Sequence, residues 1–154
     1  MSTIHDNVKK LAPDLTKGYP SSPHAMLGGY VLAKRCVDKC RADLAGTIGE
    51  YHFDCPLDNQ LFGFKGVKGE DVKQLLSSGA SDEEVTKWIE SHGSTKSADE
   101  IKAFNEQAEG YKPYEDPEKK EWFVGVCSEV GIDPAKSTLF DFLDADDKAS
   151  YAKK

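Results

Sequence analysis

Three side chains able to move protons, Glu50, His52 and Asp54, stand at alternate positions of one short stretch. In an extended segment alternate residues share a face, so these three point one way and Tyr51, Phe53 and Cys55 the other. A histidine flanked by carboxylates has its charged form favoured and is oriented as a general acid or base. The plainer alternative is that Glu50 or Asp54 pairs with Arg35 or Arg41 and pins the segment to a helix. Lys34, Arg35, Asp38 and Arg41 are themselves spaced as one helical stripe. Such a stripe is either a solvated face, with pairs of about 0.2–0.5 kcal/mol each, or a clamp in which Arg35 and Arg41, steered by Asp38, hold a carboxylate or phosphate in bidentate fashion. Gly46 and Gly49 allow close approach to backbone amides. The stretch 46–58 and the stripe before it therefore define one expected site. Its ligand-binding set is Arg35, Asp38, Arg41, Gly49, Glu50 and His52, and its acid–base set is Glu50, His52 and Asp54.

The four cysteines are Cys36, Cys40, Cys55 and Cys127. Cys36, Cys40 and Cys55 with His52 would satisfy zinc chemically, but a free cysteine behaves as a small buried hydrophobe, and Cys40 lies on an apolar stripe. Free thiols with no metal and no cofactor are expected. No Gly-x-Ser-x-Gly elbow and no phosphate loop occurs. Asp144, Asp146 and Asp147 lack the glycine and closing glutamate of a calcium loop, and read as a solvated acidic helix end. His5, His24 and His92 have no partners nearby in sequence.

The elements that must position these residues are helical. Met26, Tyr30, Ala33, Val37, Cys40 and Leu44 recur at three and four residues. Ser22 followed by Pro23 reads as a cap and a first helical turn. A helix over 23–45, the longest and most central, is predicted. Residues 46–56 form a glycine-rich structured loop. Shorter helices follow at 57–62 and 70–77. Ser81 and Glu84 form a capping box for a third helix, and Ser97 caps a fourth. A fifth begins at Asp116-Pro117 with Trp122, Phe123, Val126, Cys127 and Val130 inside, and a sixth is capped by Ser137 or Thr138. Residues 1–22 read as an extended segment packed on or beside a single helical domain, 23–154. The fold class is mainly α, with six or seven helices.

At 154 residues and a net charge of −7, the chain fits one domain with a proper core. The acidic balance argues against a nucleic-acid binder, which needs surplus Lys and Arg. The basic excess is confined to residues 1–50. No apolar run approaches the roughly 20 residues of a membrane span, and no export signal opens the chain. A cytoplasmic protein without membrane association is expected.

Leu27-Gly28-Gly29-Tyr30, Asp38-Lys39, Arg41-Ala42 and the run from Leu44 to Asp58 resemble the bacterial domain-of-unknown-function family 5069. Asp14-Leu15-Thr16, Ser22-Pro23 and the closing Leu139–Asp147 fit the same pattern. The resemblance implies a single cytoplasmic bacterial domain and supplies no activity. Three functions remain open. The first is a module binding a small anionic metabolite between the first long helix and residues 46–58. The second is a protein-interaction domain docking a partner through aromatics such as Tyr111 and Tyr114, and the third is an acid–base enzyme built on Glu50, His52 and Asp54.

Overall fold

The computed structural model describes residues 5–152. Eight α-helices follow one another among them: α1 (Asp6–Leu11), α2 (Ala33–Ala45), α3 (Pro56–Lys65), α4 (Gly69–Ser77), α5 (Asp82–Ser91), α6 (Ala98–Gly110), α7 (Lys120–Val130) and α8 (Leu139–Ala152). A 3-10 turn, Pro113–Glu115, lies between α6 and α7. The described residues hold no strand, only one isolated antiparallel bridge between Leu27 and Tyr30.

α2 packs against α1, α3 and α4. Its Ala33, Cys36, Val37 and Cys40 enter the main core with Leu61 and Phe62 of α3, Val72 and Leu76 of α4, Val85 of α5 and Phe140 of α8. Full burial of such a side chain contributes about 1.5–3 kcal/mol. A smaller cluster, Phe123, Cys127 and Phe142, joins α7 to α8, and Leu143 packs against both clusters. A cavity of about 30 Å³ remains in the main core beside Tyr30, Val37, Phe62 and Trp88. That is room for a water molecule and not for a metabolite.

The predicted helix 23–45 begins ten residues later, at Ala33. Leu27 and Tyr30 exchange backbone hydrogen bonds across Gly28 and Gly29, both at positive φ. Leu32 is left-handed at φ 72°, and its N–H donates to the Pro23 carbonyl at 2.9 Å. This closed loop replaces the first helical turns. Met26, expected on the apolar face, is consequently 55% exposed. α8, with 14 residues, is longer than α2 with 13.

The expected extended N-terminal segment contains α1 instead; its residues 1–4 lie outside the described ones. His5 Nδ1 accepts from the Asn7 N–H, Val8 is 2% exposed, and Asn7 donates to the Gly79 carbonyl. Tertiary contact holds a helix too short to show a period. The capping boxes form at Ser81/Glu84 and at Ser97/Glu100, and Thr138 and Asp141 exchange the same reciprocal bonds at the start of α8. α7 starts at Lys120 and not at Pro117, because the Asp116 carbonyl and carboxylate bind the amides of residues 118–120 in a turn.

Candidate functional site

Residues 46–55 leave α2 through Gly46, which is left-handed at φ 77° and closes the helix. The loop that follows, which turns at residues 48–51, lies against the N-terminal segment. Leu15 N–H donates to the Thr47 carbonyl at 2.8 Å, and Thr47 Oγ1 donates to the Pro13 carbonyl at 2.9 Å. Gly49, at φ 62°, passes so close that a Cβ there would sit 2.9 Å from the Leu15 oxygen. Its lack of a side chain serves this backbone approach.

Glu50, His52 and Asp54 are exposed, and Tyr51, Phe53 and Cys55 are half-buried between them. Exposure thus alternates as in an extended segment, although the backbone turns at residues 48–51 and again at Asp54. The three proton-active groups face outward, and no hydrogen bond joins them. Asp54 takes a positive φ of 64°. It accepts from Asn59 Nδ2 at 2.8 Å, and its carboxylate rests against Gly69 at the start of α4. A carboxylate there complements the positive helix end.

In the charged stripe of α2, Arg35, Asp38 and Arg41 are buried and engaged by other segments, and Lys34 is half-buried. Arg35 Nη1 lies 2.7 Å from Asp147 Oδ2 on α8, and the two side chains are 6% and 4% exposed. Burial opposes the charged guanidinium, but the hydrogen bond and charge of Asp147 outweigh it and hold the group protonated. Tyr51 Oη donates to Asp147 Oδ1 at 2.9 Å. Burial and then the Asp147 charge push that phenol well up. Asp38 accepts from the Ser21 backbone N–H at 2.9 Å and from its hydroxyl. Arg41 Nη1 reaches Asp82 Oδ1 at 2.7 Å, and its Nη2 donates to the Ala80 carbonyl at 2.9 Å. Arg41 therefore ties α2 to the start of α5 and makes no pair with Glu50.

Asp147, expected on a solvated helix end, is 3% exposed. Lys39, which the sequence left unassigned, forms a second buried pair, with Asp58 of α3 at 2.8 Å. No buried side-chain nitrogen or oxygen lacks a partner among the described residues. The missed signal was the density of charge on an otherwise apolar helix. A helix that carries Lys39 between Cys36 and Cys40 must bury some of its charges.

Of the expected ligand set, Glu50 lines a hollow among the described residues. That hollow is about 190 Å³, formed with Gly18, Tyr51, Asp146, Ser150 and Tyr151. Among the described residues it brings together two carboxylates, Glu50 and Asp146. Cys36, Cys40 and Cys127 are buried thiols and Cys55 is half-buried. Burial pushes the Cys40 thiol up to about 12. No group of three His, Cys, Asp or Glu side chains is placed to hold a metal among the described residues. None of the helices described is long and apolar enough to cross a membrane.

A larger surface groove lies elsewhere. It has a volume of about 530 Å³ and runs between α3, the 113–115 turn and α7, lined by Pro56, Leu57, Tyr111, Pro113, Trp122 and Leu139. A second hollow of about 390 Å³, with Phe64 and Phe104, shares Gln60 and Tyr111 with it. Trp122, expected inside, is 48% exposed. The inward stripe of α7 runs through Phe123 and Cys127, one position out of phase with it. Trp122 stands over this groove with its ring 6.0 Å edge-on to Phe142. Tyr111 is half-buried, its hydroxyl donating to Asp116 at 2.8 Å. Tyr114, expected as a docking aromatic, is half-buried, with the Lys120 ammonium 4.4 Å from its ring centre. The side-chain amides of Gln60 and Gln107 make no hydrogen bond to other described residues.

The profile of one family, described as Domain of unknown function (DUF5069), matches residues 17–149. No curated protein matches the sequence.

Proposed function

We propose, for a chain that belongs to the DUF5069 family, a protein-interaction role in which the groove around Trp122 and Tyr111 receives an extended apolar segment of a partner. The observation that supports it is the joining of two aromatic-lined hollows through Gln60 and Tyr111. An elongated groove suits a chain rather than a compact metabolite. Trp and Tyr in such a setting are the usual anchors of an interface. The unpartnered amides of Gln60 and Gln107 each offer donors and an acceptor to a peptide backbone. Glu118 and Lys119 at the groove balance one another, so the partner needs no strong charge.

The anionic-metabolite reading has less support. Its guanidinium groups, Arg35 and Arg41, are engaged by Asp147 and Asp82, and the nearest hollow presents Glu50 and Asp146. The acid–base reading rests on Glu50, His52 and Asp54, which face bulk water where general acid–base catalysis gains little from a tuned environment.

The test is selection of binders from a random peptide display library against the full-length protein, followed by calorimetric titration of the enriched peptides. Apolar, extended sequences are expected, with binding at least about tenfold weaker to Trp122→Ala, equivalent to 1.4 kcal/mol. Gln60→Ala weakens them less. An unenriched library, or peptides that bind Trp122→Ala as well as the parent, would remove the proposal.

A further inference from the structure

Cys55 is the one cysteine of the four that is not buried. It is the N-cap residue of α3, and its Sγ lies 3.6 Å from Lys39 Nζ. Lys39 comes from α2 with its side chain 5% exposed, and Asp58 Oδ1 holds its ammonium at 2.8 Å. The same carboxylate accepts from the Cys36 thiol at 3.1 Å and from the Asp54 backbone N–H at 3.0 Å. A half-exposed thiol is thus in contact with a buried amine that cannot swing away. None of these groups lines the proposed docking groove.

We propose that Cys55 is a site of reversible oxidation by hydrogen peroxide, and that its sulfenic acid condenses with Lys39 Nζ to a sulfenamide tying α2 to the start of α3. In the first step the thiol releases its proton to water and sulfur attacks one peroxide oxygen. The S–O bond forms, the O–O bond breaks, and the departing hydroxide takes a proton from the Lys39 ammonium and leaves as water. Lys39 is now a neutral amine facing sulfur. In the second step Nζ attacks Sγ, the N–S bond forms and the S–O bond breaks, and the hydroxide leaves as water with a proton from Nζ. Sulfur has lost two electrons, and both peroxide oxygens have become water. Two equivalents of a small thiol restore Cys55 and the amine and end as a disulfide.

Contact favours the second step, because a reactant held in place reacts as an intramolecular partner. Cys36 is a poor competitor. Burial and then the Asp58 charge keep its thiol protonated, and the thiolate is the nucleophile in such exchange. Sulfenic acids condense with thiols or nitrogen nucleophiles, and here the nitrogen is the neighbour.

The experiment treats the folded full-length protein with hydrogen peroxide and reads intact mass and non-reducing peptide maps. A loss of two hydrogens is expected, in a cross-linked peptide containing both Lys39 and Cys55. It persists in Cys36→Ser, is absent in Cys55→Ser, and is reversed by dithiothreitol. Cys55→Ser alters a half-exposed side chain and leaves the parent measurement as the primary readout. A stable sulfenic acid trapped by dimedone, direct over-oxidation of Cys55, a Cys36–Cys55 disulfide, or an unmodified protein would each overturn the proposal.

Discussion

Arg35 and Asp147 meet at 2.7 Å although 112 positions separate them in sequence, and Tyr51 completes the contact from a third segment. A buried charge stripped of its partner is strongly destabilising. Asp147→Ala is therefore expected to lower unfolding free energy by about 3–5 kcal/mol in urea titrations. The double replacement Arg35→Met with Asp147→Leu should cost clearly less than the two single changes added, since no charge is then left unpaired. Strict additivity of the single changes would contradict the pairing.

Asp82 sets an acid limit. Partial burial pushes its carboxyl up, but hydrogen bonds from Arg41 and Lys34, and then their charges, bring it below its ordinary 3.8. A depressed folded value contributes stability above the unfolded value that is lost as pH falls through the folded one. Thermal melts of the parent should show this loss below about pH 4. Asp82→Asn should show a flatter acid limb and a lower plateau at neutral pH. Parallel profiles would exclude the contribution.

Arg41→Ala strips a donor from the buried Ala80 carbonyl and is expected to cost about 1–3 kcal/mol. A change within about 0.5 kcal/mol, as at ordinary surface positions, would return Arg41 to the list of ligand-binding groups. Chemical denaturation decides between the two.

Gly49→Ala forces a side chain into left-handed backbone and toward the Leu15 oxygen. A loss of about 1–3 kcal/mol is expected, with hydrogen exchange quickening at Leu15, whose amide is bonded to Thr47. Unchanged protection at Leu15 would mean that the segment is held by other contacts.

Val37 and Met26 were equivalent members of one apolar stripe, yet they are 3% and 55% exposed. Val37→Ala is expected to cost about 1–3 kcal/mol, and Met26→Ala no more than about 0.5 kcal/mol. Equal melting temperatures for the two variants would place Val37 outside the core.

The helices with local start signals were legible. Ser81, Ser97 and Thr138 each find their cap partner three residues on, and that interaction is complete within one turn. The start of α2 was not, because Ser22-Pro23 carries a correct local signal that the Leu27–Tyr30 bridge and the Pro23–Leu32 hydrogen bond override. α1 was missed for the opposite reason: its hold comes from Gly79 and the core rather than from its own residues. At the expected site, spacing identified Arg35, Asp38 and Arg41 as one group but could not supply their partners, which lie on other segments: Asp147, Ser21 and Asp82. Trp122 escaped because a one-position phase error on α7 converts an inward ring into an outward one.

The three carboxylates that neutralise α2 arrive in order along the chain: Asp58, then Asp82, then Asp147. An early collapse of the N-terminal half would bury Arg35 with nothing to answer its charge, and non-local contacts reward the chain only after the intervening loop is closed. The burial of Arg35 is therefore tied to the docking of α8, whose Asp147 supplies its counter-charge.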